Sequence, residues 1–95
     1  MSGYHSLRGI KKDIDYIFSA FVEDCCYVAA QNSKLTAEKA NELIDEAVEI
    51  YNGLRDKAAR KPEGSAREYY NALSKEVVEK GNAIYEKLSA AVKNA

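Results

Sequence analysis

The amino-acid sequence predicts an all-α protein, an antiparallel up-down-up bundle of three helices. Apolar residues recur at spacings of three and four through three long segments, and no segment shows the alternate-residue pattern of a strand. Helix-breaking punctuation falls in only two places, Gln31-Asn32-Ser33-Lys34 and Lys61-Pro62-Glu63-Gly64. Both breaks are short enough to turn the chain back on itself. The pattern predicts helices over about 6–30, 37–60 and 66–93, within one domain spanning 1–95.

In the first segment, Leu7, Ile10, Ile14, Ile17, Phe18, Phe21, Val22, Cys25, Val28 and Ala29 form one apolar stripe when plotted at about 100° per residue. Lys12, Tyr16, Ala20, Glu23 and Tyr27 fall opposite it, a mostly polar face that carries two tyrosines. The second helix starts where Thr36 can accept from free amides, Glu38 suits the positive end of the dipole, and Leu35 can pack back as a staple. Its stripe is Ala40, Leu43, Ile44, Ala47, Ile50, Tyr51, Leu54 and Ala58. Lys57, Arg60 and Lys61 stand at its negative end, and Pro62 stops it.

Ser65-Ala66-Arg67-Glu68 has the form of a capping box and opens the third helix. The stripe that follows is Ala66, Tyr70, Leu73, Val77, Gly81, Ile84, Leu88, Ala91 and Val92. Gly81 in mid-helix costs about 1 kcal/mol relative to alanine, which marks a close approach to a neighbour or a bend. An offset of thirty aligns Asn41, Leu43, Glu46, Val48, Glu49, Asn52 and Lys57 with Asn71, Leu73, Glu76, Val78, Glu79, Asn82 and Lys87. Chance similarity between two amphipathic helices and a decayed duplication both account for that alignment.

Composition excludes several classes of function. Fourteen basic and fifteen acidic residues leave a net charge of −1, so the overall field gives no reason to expect nucleic acid or an anionic membrane. No apolar run approaches the roughly 20 residues that span a bilayer, and the N-terminus lacks the form of a signal peptide. A cytoplasmic location is expected by default. The two cysteines, Cys25 and Cys26, are adjacent and diverge on a helix, so no disulfide within the chain is expected. With a single histidine, they provide no set of zinc ligands, and no metal or cofactor is expected.

No catalytic residue is assigned either. His5 is the only imidazole and lies near the N-terminus. Cys25 sits in the middle of a core stripe, and Cys26 has no histidine placed to activate it. Asp24, at the edge of the first stripe, is expected to accept a hydrogen bond from a tyrosine or lysine of a neighbouring helix. The sequence contains no glycine-rich phosphate loop.

The run Leu7-Arg8-Gly9-Ile10-Lys11-Lys12-Asp13-Ile14-Asp15 resembles the opening of the all-helical chorismate mutases. That resemblance implies a small helical enzyme holding a dicarboxylate. The family uses a second arginine and a lysine further along the first helix and linker, whereas here Lys11 and Lys12 are the only bases between Arg8 and Asn32. A broader likeness runs through Leu7 to Cys25, Ala40 to Lys57 and Tyr70 to Leu88, with Lys75-Glu76 and Glu86-Lys87-Leu88-Ser89. This pattern is similar to an uncharacterised family of short all-helical bacterial proteins, which implies the fold and no mechanism.

Two surface features suggest binding. An up-down-up path brings Arg8, Lys11 and Lys12 to one pole with Arg55, Lys57, Arg60, Lys61 and Arg67, beside Asp13, Asp15, Asp56, Glu63 and Glu68. Eight bases less five acids leave that pole at +3, and the other six bases and ten acids make the rest −4. The pole is suited to an acidic partner surface, while its interspersed acids disfavour nucleic acid. The second feature is Tyr16 and Tyr27, outside the core stripe, which together suggest a face for a partner helix or a second copy of the chain. The expected function is therefore a non-catalytic protein-interaction or scaffolding module whose candidate contacts are Arg8, Lys11, Lys12, Arg55, Arg60, Arg67, Tyr16 and Tyr27. An enzyme of chorismate-mutase type and weak nucleic-acid binding at the pole remain as alternatives.

Overall fold

The computed structural model describes residues 7–31 and 34–93. His5, Ser6, Asn32 and Ser33 lie outside the described residues. The chain forms α1 (Leu7–Gln31), α2 (Ala37–Ala59) and α3 (Ala66–Lys93), and no strand occurs among the described residues. No helix is long and apolar enough to cross a membrane.

Cross-helix contacts set the path. Asp15 of α1 meets Tyr51 and Arg55 of α2, while Val22, further along α1, reaches the level of Ala47 and Val48. These two helices therefore run in opposite directions. Lys57 pairs with Glu76 and Lys87 with Glu46, so α3 runs against α2 and parallel to α1. This is the expected up-down-up bundle, and each helix packs against the other two.

Five residues of α1 (Ile10, Ile14, Phe18, Phe21 and Cys25) and five of α3 (Leu73, Val77, Gly81, Ile84 and Leu88) are buried. The two sets share the spacing four, four, three, four, which keeps two parallel helices in register along the bundle. Ala40, Leu43, Ala47, Leu54 and Ala58 of α2 close the core, with Leu35 buried just ahead of that helix. Burying a large aliphatic or aromatic side chain contributes about 1.5–3 kcal/mol, and no polar or charged residue is fully buried among those described. Ile17, Val28, Ile44, Ile50, Tyr51 and Tyr70, also placed in the stripes, are partly buried at their edges.

Local signals account for the helix ends. Thr36 Oγ1 accepts from the Lys39 amide at 3.1 Å, and Ser65 Oγ accepts from the Glu68 amide at 3.2 Å. Gly64 has φ of 82°, a left-handed backbone that a side chain would strain. The second helix stops at Ala59, one residue short of expectation, with Arg60 extended. A helix continued to Pro62 would drive the proline ring into the Ala58 carbonyl, so the chain departs beforehand. Ala66, assigned to the third stripe, is exposed because it is the first residue of α3, ahead of that helix's first buried position, Leu73.

Candidate functional site

The outward face of α1 is built by its own periodicity. Tyr16, Ala20, Glu23 and Tyr27 follow at intervals of four, three and four, close to the helical repeat, and so form a narrow row opposite the core. Tyr16 is 75% exposed and Tyr27 67%. Neither belongs to the core or to the partly buried hydrophobic residues packed against it.

Beside this row, α1 and α2 leave a shallow, mainly apolar groove of about 360 Å³. Buried Phe18 and Ala47 floor it, Val22, Val48 and Tyr51 line it, and Ser19 and Glu23 give it a polar edge. A second depression lies along α1 between Lys12, Asp15, Tyr16, Ser19, Ala20 and Glu23. The two share Ser19 and Glu23, so they join into one surface reaching from Lys12 across to Val48.

A polar cluster ties α1 to α2 beside that surface. Tyr51 donates its phenolic hydrogen to Asp15 at 2.8 Å, and the Arg55 guanidinium reaches both oxygens of the same carboxylate at 3.2 and 3.3 Å. The guanidinium carbon also lies 5.9 Å from the centre of the Tyr51 ring. The hydrogen bond to Asp15, followed by burial and the Asp15 charge, raises the Tyr51 pKa above its ordinary value, against an opposing effect of Arg55. Arg55, a candidate partner contact by sequence, is thus engaged within the bundle.

Across the other seam of α1, Tyr85 donates to Asp24 at 2.7 Å, supplying the tyrosine expected for that carboxylate. Burial first, then this hydrogen bond, then the nearby Asp24, Cys25 and Tyr16 hold the Tyr85 proton well above the usual tyrosine range. Burial, with smaller contributions from Cys26 and Asp24, pushes the Cys25 thiol up to about 11. Cys25 is therefore a buried, protonated apolar side chain, whereas Cys26 is exposed. Among the described residues, no group of three or more His, Cys, Asp or Glu side chains is arranged to hold a metal ion.

The basic residues do gather at one pole, through the start of α1, the end of α2 and the start of α3. Lys57 is drawn away from it, its ammonium lying 3.0 and 2.7 Å from the two oxygens of Glu76. The backbone carbonyl of Lys57 accepts from the Tyr69 phenol at 2.7 Å, an anchor between α2 and α3 that the core stripes did not indicate. Arg8, Lys12, Arg60, Lys61 and Arg67 are exposed, and Lys11 is half-buried. Helical periodicity puts Tyr16 and Tyr27 on the outward face, where they are exposed, but does not indicate the groove or Val48, which is 45% exposed. The available signal was a valine lying off the apolar stripe of its own helix.

Comparison with family models, curated proteins and solved structures finds no match to this chain. The two resemblances of its sequence rest on its residues alone.

Proposed function

We propose that this protein is a small non-catalytic interaction module that docks another protein surface on the outward face of α1 and its groove with α2. One observation carries the reading: of the large hydrophobic side chains exposed among the described residues, Tyr16 and Val48 line the two joined depressions and Tyr27 continues the outward row of α1 beyond them, while Val78 of α3 is the other. Tyrosine suits an interface because its ring contributes dry contact area at low entropic cost while its hydroxyl tolerates water. Adjoining apolar positions with a polar edge are what an amphipathic partner helix requires.

The full-length protein, immobilised through a terminal tag and offered extract from its native cell, tests this. The expected result is a protein retained by the wild type and lost by about tenfold or more from Tyr16→Arg/Tyr27→Arg, whose positions are too exposed to damage the core. Arg60→Glu/Arg67→Glu is expected to retain it, since the pole supplies at most a salt-dependent rim contribution. Equal retention by the tyrosine variant, or no retained protein of any kind, would overturn the proposal.

A further inference from the structure

We infer that the occupant of this face is a second copy of the same chain, packed with its α1 antiparallel to the first α1 about a twofold axis passing between Ser19 and Ala20. This rests on reading the face as an interaction surface, and it adds the identity and register of the partner.

The warrant is the order of chemistry along one exposed row. Reading along α1, the row runs Lys12, Tyr16, Ser19 and Ala20, Glu23, Tyr27: a cation, an aromatic ring, two small residues, an anion and an aromatic ring. A twofold axis between Ser19 and Ala20 sets Lys12 of each copy opposite the second copy's Tyr27, and Tyr16 opposite the second copy's Glu23. On the neighbouring turn, Glu23 approaches the second copy's Lys12, and Tyr16 the second copy's Tyr27. Every member of the row meets a favourable counterpart, and within the row no like charges are opposed; Asp15 and Asp24, which this register sets level with each other, lie off the row on its two flanks, held by Tyr51 and Arg55 and by Tyr85 respectively. A twofold interface demands this property, because each residue must suit the partner of its partner.

Geometry adds two further points. Small side chains at the crossing point let two helix axes approach to about 8 Å, close enough for the flanking rings to interdigitate. The level opposite Tyr16 is that of Val22 and Glu23, where the apolar groove opens, so the second copy's Tyr16 ring has a seat against Val22 and Val48 with its hydroxyl toward Glu23. Within one chain Lys12 and Glu23 stand eleven residues apart, roughly 16 Å along the helix, and cannot pair. Side-by-side parallel copies would instead oppose lysine to lysine and glutamate to glutamate.

Sedimentation equilibrium of the full chain, over concentrations reaching on the order of 1 mM, is the test. The wild type should show a monomer–dimer equilibrium. Lys12→Glu and Glu23→Lys should each weaken it by about tenfold, because each then sets two like charges together, and Tyr16→Ala should weaken it as well. The combined Lys12→Glu/Glu23→Lys variant should recover most of the affinity, since the pairing is restored with its signs exchanged. A wild type that stays monomeric throughout the range, or a combined variant no tighter than the single ones, overturns the dimer. If the wild type is monomeric yet loses a different captured protein on Tyr16→Arg/Tyr27→Arg, the dimer fails while the interaction module stands. If the tyrosine variant loses nothing, the module itself fails.

Discussion

Ile17 of α1 fills the space that any side chain at Gly81 of α3 would need: its Cγ2 lies 2.9 Å from where a Cβ at residue 81 would stand. Both residues belong to the parallel pair of helices, and Gly81 is buried at the middle of the α3 core stripe. The mid-helix glycine noticed in the sequence is a close approach between helices.

Gly81→Ala therefore sets two effects against each other. Helix propensity favours alanine by about 1 kcal/mol, while overpacking costs about 1–3 kcal/mol. The clash should win, because Cγ2 of a β-branched residue on a helix has essentially one rotamer and cannot swing aside. Denaturant titration should show Gly81→Ala destabilised by about 1 kcal/mol. In an Ile17→Ala background the same change should become neutral or stabilising, and strict additivity of the two substitutions would contradict this account.

Removing the phenolic hydroxyl of Tyr85 should cost about 1 kcal/mol near neutral pH, since Asp24 then loses its donor. The same group makes stability fall at alkaline pH. Its pKa in the fold is raised above 10.0, so above about pH 10 the unfolded chain releases a proton that the folded chain keeps. The contribution is intact below the unfolded pKa and is lost as pH rises toward the folded one. Tyr85→Phe should flatten that alkaline decline, and equal slopes for both proteins would show that Tyr85 does not drive it.

The adjacent cysteines should behave oppositely. At mild pH a thiol reagent should label one site per folded molecule, the exposed Cys26, and a second, Cys25, only after unfolding. The Cys25 thiol ionises near 9.0 when solvated and about 11 in the fold, so it adds to the loss of stability as pH rises through that window. Cys25→Ser should cost about 1–3 kcal/mol for a buried hydroxyl lacking a placed partner. Cys26→Ser should stay within about 0.5 kcal/mol of wild type.

Thr36→Ala and Ser65→Ala each remove the acceptor for a free amide at a helix start, Lys39 and Glu68 respectively. Each should lower stability by about 1 kcal/mol, and the two losses should add, because the caps stand at opposite ends of the bundle. Replacement by asparagine should recover most of either loss. Equal destabilisation by alanine and asparagine would mean that the side-chain acceptor is not what matters.

The three helices, their starts at Thr36 and Ser65, and the stop imposed by Pro62 are legible in the sequence because each depends on residues within a turn or two of one another. The exposure of Tyr16 and Tyr27 follows the same local periodicity. Long-range pairing has no such signature. That Arg55 and Tyr51 would share Asp15, that Tyr69 would hold the end of α2, and that Val48 would border a groove with Val22 depended on the rotation and lean of each helix against its neighbours. Apolar stripes determine which side of a helix turns inward; only the packed bundle decides which side chains at the edges of those stripes meet and which charges are neutralised there. The chain by itself thus determined a three-helix bundle with a tyrosine-bearing outer face, and tertiary packing decided that a groove would open beside that face, since side-chain contact between helices is a property of their relative position.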